Sequence, residues 1–351
     1  MTVLFLYTEI ADYFLNCCKQ LSASANVHII RWAVNKEAPF QFNIPKNINV
    51  YEKNNYNYSQ LQQLIKTINP TIIICSGWID KDYLKLTKPY FNKIPTIITC
   101  DTHYTGSIKQ KIAIVLSRFY LLKIFSNAWV PGNAQFNYVK KLGFKSNTIK
   151  TGFYCADLAK FNSVYANSIQ LKKNNFPKRF LYVGRYYDFK GIKELWDAFI
   201  QLQNQQPNEW ELWCLGTGNI EPIQHTKIKH FGFVQPNDLD PILQQCGVFI
   251  LPSKFEPWGV VVQEYASSGF PLILSNNVGA KQIFLEENKN GYLFNHCTNN
   301  IELINSLKKI VQQNTQQLIT MADCSHTLAQ NITVEKWCNT LLEFKNDFRK
   351  K

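Results

Sequence analysis

Leu251-Pro252-Ser253-Lys254-Phe255-Glu256-Pro257-Trp258-Gly259-Val260-Val261-Val262-Gln263-Glu264-Tyr265-Ala266-Ser267-Ser268-Gly269-Phe270-Pro271 reads as the end of a strand near Ser253, a loop, and a helix beginning near Gly259. The N–H groups of a first helical turn have no partner inside the helix. With the positive end of the helix dipole they favour an anion such as a pyrophosphate, and Gly259 removes the side chain that would block its approach. Glu256 lies in the loop and Glu264 inside the helix, so both can flank one bound molecule. Either glutamate alone is explained as a solvated surface charge; the whole string, with its Gly, Pro and strand context, favours a site.

Upstream, Phe180-Leu181-Tyr182-Val183-Gly184-Arg185-Tyr186-Tyr187-Asp188-Phe189-Lys190-Gly191 has a related form. A strand delivers Gly184 and Arg185 to the carboxyl end of its sheet, where doubly wound sheets bind ligands. Arg185 and Lys190 then supply two cations close in space. General surface lysine is an adequate alternative for Lys190, and a weaker one for a Gly-Arg pair directly after a buried strand.

The wider pattern is α/β. Val3 to Tyr7, Val27 to Trp32, Thr71 to Cys75, Pro95 to Cys100 and Ala128 to Val130 read as strands, each followed by helical periodicity. The alternation restarts with Arg179 to Val183, Glu211 to Leu215, Val248 to Leu251 and Leu272 to Ser275. It predicts parallel sheets with helices on both faces. A chain of 351 residues exceeds what one core usually supports. Two Rossmann-like domains follow, with a boundary in the polar and aromatic stretch 150–173. We assign 1–165 to the first, 166–332 to the second, and 333–351 to a C-terminal helix.

Residues 1–150 hold 18 Lys and Arg against 7 Asp and Glu, a net +11 out of +13 for the chain. Such a surface attracts nucleic acid, anionic membranes or acidic substrates. Nothing resembles a zinc finger or an RNP aromatic motif, so nucleic acid is not expected as a partner. The segment Ile108 to Phe125 sets Lys109, Lys111, Arg118 and Lys123 among apolar residues. It reads either as contact with an anionic membrane surface or as a core-packed helix with a basic edge. No apolar run approaches the ~20 residues of a membrane span, and Met1 to Tyr7 reads as a first strand rather than a signal peptide. The ten cysteines are scattered without a C-x-x-C pair, as expected of reduced, buried thiols in a cytoplasmic protein.

The 251–271 string resembles glycosyltransferase family 4, whose pattern is a Ser, a Glu, a Gly, then Glu-Ala-x-Ala-x-Gly-x-Pro. Ser253, Glu256, Gly259, Glu264, Gly269 and Pro271 match, Ala266 fills a small-residue slot, and Tyr265 and Ser267 depart from it. Gly184, Arg185, Lys190 and Gly191 resemble the strand-Gly-Arg-loop-Lys-Gly signature of the same family. Cys214 to Gly218 resembles its strand ending in Gly-x-Gly, His230 to Val234 its next short strand, and Val278-Gly279-Ala280 its following Gly turn. Lys281 and Gln282 stand where relatives carry an acidic residue.

The resemblance implies the GT-B fold, with a donor cleft between an acceptor domain and a nucleotide-sugar domain, and a C-terminal helix crossing back to the first domain. It implies a retaining hexosyltransferase using a nucleotide-sugar donor and a glycan or lipid-linked acceptor, as in surface polysaccharide or lipopolysaccharide synthesis. With the basic segment Ile108 to Phe125, a cytoplasmic location, either free or peripheral at the inner face of the membrane, is expected. Arg185 and Lys190 would hold the donor diphosphate, Glu256 the transferred sugar and Glu264 the ribose, with Gly184, Gly259 and Val260 completing the donor contacts. No cofactor and no metal are expected. Other readings are an inverting transferase, an epimerase, or a catalytically silent nucleotide-sugar-binding subunit.

In the first half, Asp101 and His103 follow a strand where relatives put an active-site His or Asp, and either lining a site or a structural loop accounts for them. The triplets Asp80-Lys81-Asp82 and Asp238-Leu239-Asp240 look like metal-binding Asp-x-Asp pairs, but each falls at an expected helix start, where N-capping explains it.

Overall fold

The computed structural model describes residues 1–34, 44–296 and 300–349. The chain forms two compact units, Met1–Cys155 with Ile332–Lys351, and Ala156–Asn331. The switch falls at Cys155 rather than after residue 165, because the helix Leu158–Asn174 packs on the helices Val260–Ser267 and Thr315–Ala329 of the second unit.

The first unit has strands β1 Thr2–Tyr7, β2 Asn26–Arg31, β3 Ile48–Glu52, β4 Ile72–Ser76, β5 Thr96–Thr99, β6 Asn127–Trp129 and β7 Ile149–Lys150. They form one parallel sheet in the order β3-β2-β1-β4-β5-β6-β7. Val3, Leu4, Phe5 and Leu6 are all fully buried, which requires cover on both faces and explains a continuous apolar run instead of alternation. The helix Val334–Arg349 packs against the helix Asp12–Leu21 of this unit. Its Trp337 ring lies 4.9 Å from that of Trp129, and its indole N–H donates to the Phe153 carbonyl at 2.7 Å.

The second unit has β8 Arg179–Val183, β9 Glu211–Leu215, β10 Ile228–His230, β11 Val248–Leu251, β12 Leu272–Ser275 and β13 Gly291–Phe294. They form a second parallel sheet, β10-β9-β8-β11-β12-β13. The short strand expected over His230 to Val234 starts two residues earlier, at Ile228–His230, where Ile228 is buried.

Asp80 caps the helix Lys81–Thr87, its carboxylate accepting from the N–H groups of Asp82 at 2.9 Å and Tyr83 at 3.2 Å. Asp238 and Asp240 depart from the capping expectation. Asp238 ends the 3-10 turn Pro236–Asp238, and Asp240 begins the short helix Asp240–Leu243 with no side-chain cap. Leu239 between them is already helical (φ −74°, ψ −36°), so no extended residue is left to serve as N-cap. The described cysteines are all free; Cys324 and Cys338 are half-buried rather than buried, and Cys297 lies outside the described residues.

Candidate active site

The carboxyl ends of β8 and β11, neighbours in the second sheet, carry the sequence-selected residues of this unit, Gly184, Arg185 and Lys190 after the first and Glu256, Gly259 and Glu264 after the second. Gly184 follows β8 and donates to the Leu215 carbonyl at 3.0 Å. A Cβ here would stand 2.9 Å from the Tyr182 hydroxyl. Without it, that hydroxyl donates to the Arg185 carbonyl at 2.9 Å and fixes the backbone from which the exposed Arg185 side chain projects. Burial pushes the Tyr182 phenol up, so it remains a donor at any physiological pH.

The chain then makes the 3-10 turn Asp188–Lys190 and passes through Gly191 at φ 70° into the helix Ile192–Gln205. A Cβ on Gly191 would sit 2.0 Å from the Pro252 carbonyl oxygen, so glycine is what lets the turn lie against the end of β11. The amides of Lys254 and Phe255 donate to the Phe189 carbonyl at 2.9 and 3.3 Å.

That contact sets Lys190 Nζ 2.5 Å from Glu256 Oε2, which also accepts from the Ser253 hydroxyl at 3.3 Å. Both charged side chains are largely enclosed, 19% and 13% exposed. The Glu256 backbone is held from the other side, donating to the Asn277 carbonyl at 3.3 Å and accepting from Gly279 N–H at 3.0 Å. The turn after β12 is therefore part of the loop's support although it lacks the acidic residue that relatives carry.

Gly259 stands at the N-cap of the helix Val260–Ser267 with φ 93°, a left-handed conformation, and no side chain caps this end. The helix thus presents its first amides, at Val260 and Val261, and its positive pole on the loop that carries Glu256. Glu264 is half-buried one turn further along the helix face that begins at Val260, and its charge contributes, after burial, to raising the Tyr265 phenol.

Sequence reasoning missed two supports. Lys254 bridges Asp188 at 3.0 Å and Glu194 at 2.6 Å, tying the 3-10 turn and the helix behind it to the 253–256 loop. As one more lysine in a lysine-rich chain it carries no distinguishing spacing. His296 lies beside Gly191, close enough that a Cβ on that glycine would come within 3.3 Å of its Cε1, and burial lowers its pKa against the opposing backbone of Pro252 and Ser253. No motif marks it.

Asp101 and His103 belong to the first unit, in the loop after β5. The buried Gln135 donates to the Asp101 carbonyl at 2.9 Å, and Gln110 to that of His103 at 2.8 Å. Burial lowers the His103 pKa, so its imidazole is mostly neutral at pH 7. Asp101 adds to burial and neighbouring groups in raising the phenols of Tyr7 and Tyr154. These tyrosines and Tyr13, whose ring meets that of Tyr154 edge-on at 5.7 Å, were not singled out in the sequence because they stand in separate apolar segments.

Residues 166–327 match the family model described as Glycosyl transferases group 1. Among curated proteins the chain is similar to the uncharacterized glycosyltransferase MJ1607 of Methanocaldococcus jannaschii, 28% identical over 120 residues, covering 31% of this chain and 30% of that protein. It is also similar to the lipopolysaccharide 1,6-galactosyltransferase of Salmonella typhimurium, 24% identical over 260 residues, 69% of this chain and 65% of that one. The chain spans less than half the length of the first curated relatives it matches, 30% and 46%. The crystal structure of Anabaena HepE in complex with UDP and glucose aligns with a TM-score of 0.71 at 18% identity, covering 98% of both chains. The two parallel-sheet, Rossmann-like units are those of the GT-B fold.

Proposed function

We propose that this protein is a retaining glycosyltransferase similar to family 4, moving a hexosyl group from a nucleotide-sugar donor onto a glycan or lipid-linked acceptor in surface polysaccharide or lipopolysaccharide synthesis. The observation that carries the reading is the convergence of Arg185, the Lys190–Glu256 pair and the uncapped helix at Gly259 on neighbouring strand ends. It lies within the segment that matches the glycosyltransferase model. The relatives support the donor and acceptor classes by what they are named for: UDP and glucose bound to HepE, and lipopolysaccharide for the Salmonella enzyme.

In this reading, departure of the nucleotide diphosphate builds negative charge on its outer phosphate as the sugar–oxygen bond breaks. Arg185, Lys190 and the amides of Val260 and Val261 stabilise that charge, a preorganised contribution of about 3 kcal/mol per key donor. In the free protein Glu256 neutralises Lys190 and holds it in position; once the donor arrives, the diphosphate supplies Lys190 with a second anion and Glu256 accepts from a sugar hydroxyl. Glu264 accepts from the ribose. Retention of anomeric configuration rests on the resemblance to family 4.

The test is to incubate purified protein with a panel of nucleotide sugars and candidate acceptors, measure nucleotide release, and assign the product's anomeric configuration by proton NMR. Retained configuration with nucleoside diphosphate release is expected. Donor-dependent thermal stabilisation without turnover would identify a silent binding subunit instead, since a ligand at 100 times its Kd adds about 2.7 kcal/mol without any chemistry. An inverted product would remove the retaining assignment.

A further inference from the structure

The first unit carries an apolar face turned to solvent. In the helix Ile108–Ser117 and the turn that follows, Ile108 is 75% exposed, Ile112 53%, Val115 61%, Leu116 58% and Phe119 70%. The packed-helix reading of this segment is therefore only half right. Ala113 and Ile114 pack against the core of the unit, and Ser117 is buried with its hydroxyl donating to the Leu142 carbonyl at 2.5 Å. The opposite side, where Ile108, Ile112, Val115 and Phe119 recur at i, i+4, i+7 and i+11, is an apolar stripe in water. Clustered apolar exposure of this kind marks an interaction surface.

The charges show which surface it meets. At about 100° per residue, Lys109 falls along one border of the stripe and Lys111 and Arg118 along the other. From Ser107 to Phe125 there is no Asp or Glu, and residues 1–150 carry the +11 excess. We propose that this face docks the protein onto an anionic lipid bilayer, with Ile112, Val115, Leu116 and Phe119 entering the acyl boundary and Lys109, Lys111 and Arg118 lying at headgroup level. A second copy of the chain is disfavoured as the occupant, because pairing this face with itself sets the same cations against one another. The proposal goes beyond the catalytic reading and does not need the donor site.

The experiment is flotation of the full chain with vesicles of phosphatidylcholine, alone or mixed with phosphatidylglycerol, over a range of salt. The protein floats with the mixed vesicles, stays behind with phosphatidylcholine alone, and is released as salt rises. Val115→Asn combined with Phe119→Ser, and separately Lys109→Glu with Lys111→Glu and Arg118→Glu, each lower partitioning roughly tenfold or more. All of these are solvent-facing, and unchanged thermal melting and an unchanged circular dichroism spectrum certify the fold. Failure of the wild-type protein to float on anionic vesicles overturns the proposal, as does flotation of both variants at the wild-type level. A wild-type dimer in sedimentation velocity that the Val115/Phe119 variant disperses overturns it in favour of a second copy. Vesicle binding is read without turnover, so its failure and failure of the catalytic reading are separate results.

Discussion

Lys190 Nζ lies 2.5 Å from Glu256 Oε2, although the two residues stand on different loops, one after β8 and the other after β11. A pair this enclosed acts as a unit. Lys190→Ala is expected to lower kcat by about two orders of magnitude at saturating donor, because the lost charge matters most in the transition state. Combining it with Glu256→Gln is expected to cost less than the sum of the two, by a coupling of about 0.5–3 kcal/mol. Strict additivity in that double-mutant cycle would mean that the two residues work independently.

The proposed donor site predicts a division of labour that kinetics can separate. Arg185→Ala acts on growing charge and lowers kcat by about a hundredfold or more. Glu264→Gln, at the proposed ribose contact, is expected mainly to raise the donor KM, because those hydrogen bonds would not change during reaction. Because the proposed site draws its positive charge from Arg185 and Lys190, turnover is expected to persist in EDTA. A Glu264→Gln enzyme with normal KM and reduced kcat, or loss of activity on chelation, contradicts this division.

Gly191 couples stability to the site. Gly191→Ala demands a left-handed backbone at φ 70° and a Cβ 2.0 Å from the Pro252 carbonyl. The conformation alone costs about 1–2 kcal/mol, and relief of the clash must move the loop that presents Glu256. Urea denaturation should report at least that loss, and the donor KM should rise with it. A variant as stable as the parent would show that the turn is free to shift.

Lys172 sets a pH dependence of stability. It is fully buried in the helix Leu158–Asn174, its ammonium 3.4 Å from the Gly269 carbonyl and 4.0 Å from the centre of the Phe270 ring. Burial lowers its pKa to about 8 from the ordinary 10.5, opposed by nearby Cys246. Below pH 8 it is charged in both folded and unfolded chains and the full penalty applies; between about 8 and 10.5 the unfolded chain holds the extra proton, so this group makes stability rise with pH. Lys172→Met is expected to be more stable at pH 7 by about 3 kcal/mol, with the difference closing over that window. Denaturation curves showing a difference independent of pH would assign the effect to packing.

What the sequence disclosed follows from which forces are local. β8, β9, β11 and β12 are central strands buried on both faces, so each is an apolar run, bounded in three of them by Arg179, Glu211 or Ser275, and readable by eye. β3 is an edge strand containing the exposed Asn49, and β7 has two residues, so neither carries such a run. Glycine positions were legible because close backbone approach leaves no alternative residue. Lys254 and His296 were not, since their roles depend on a loop and a turn meeting in space. The double apolar character of Ile108–Ser117 was visible as composition, but only the fold distinguishes the face that is covered from the one that is not.

Trp337, Leu341 and Phe344 complete the core of the first unit, yet they lie beyond the last residue of the second. During synthesis all of Ala156–Asn331 leaves the ribosome before Trp337 does. When the last residue of the second unit has been made, the first still lacks the indole that stacks on Phe5 and lies tilted against Trp129. The core of the first unit is thus completed by a segment translated after the whole of the second unit. A chain cut short ahead of Thr333 loses its integrity at its beginning.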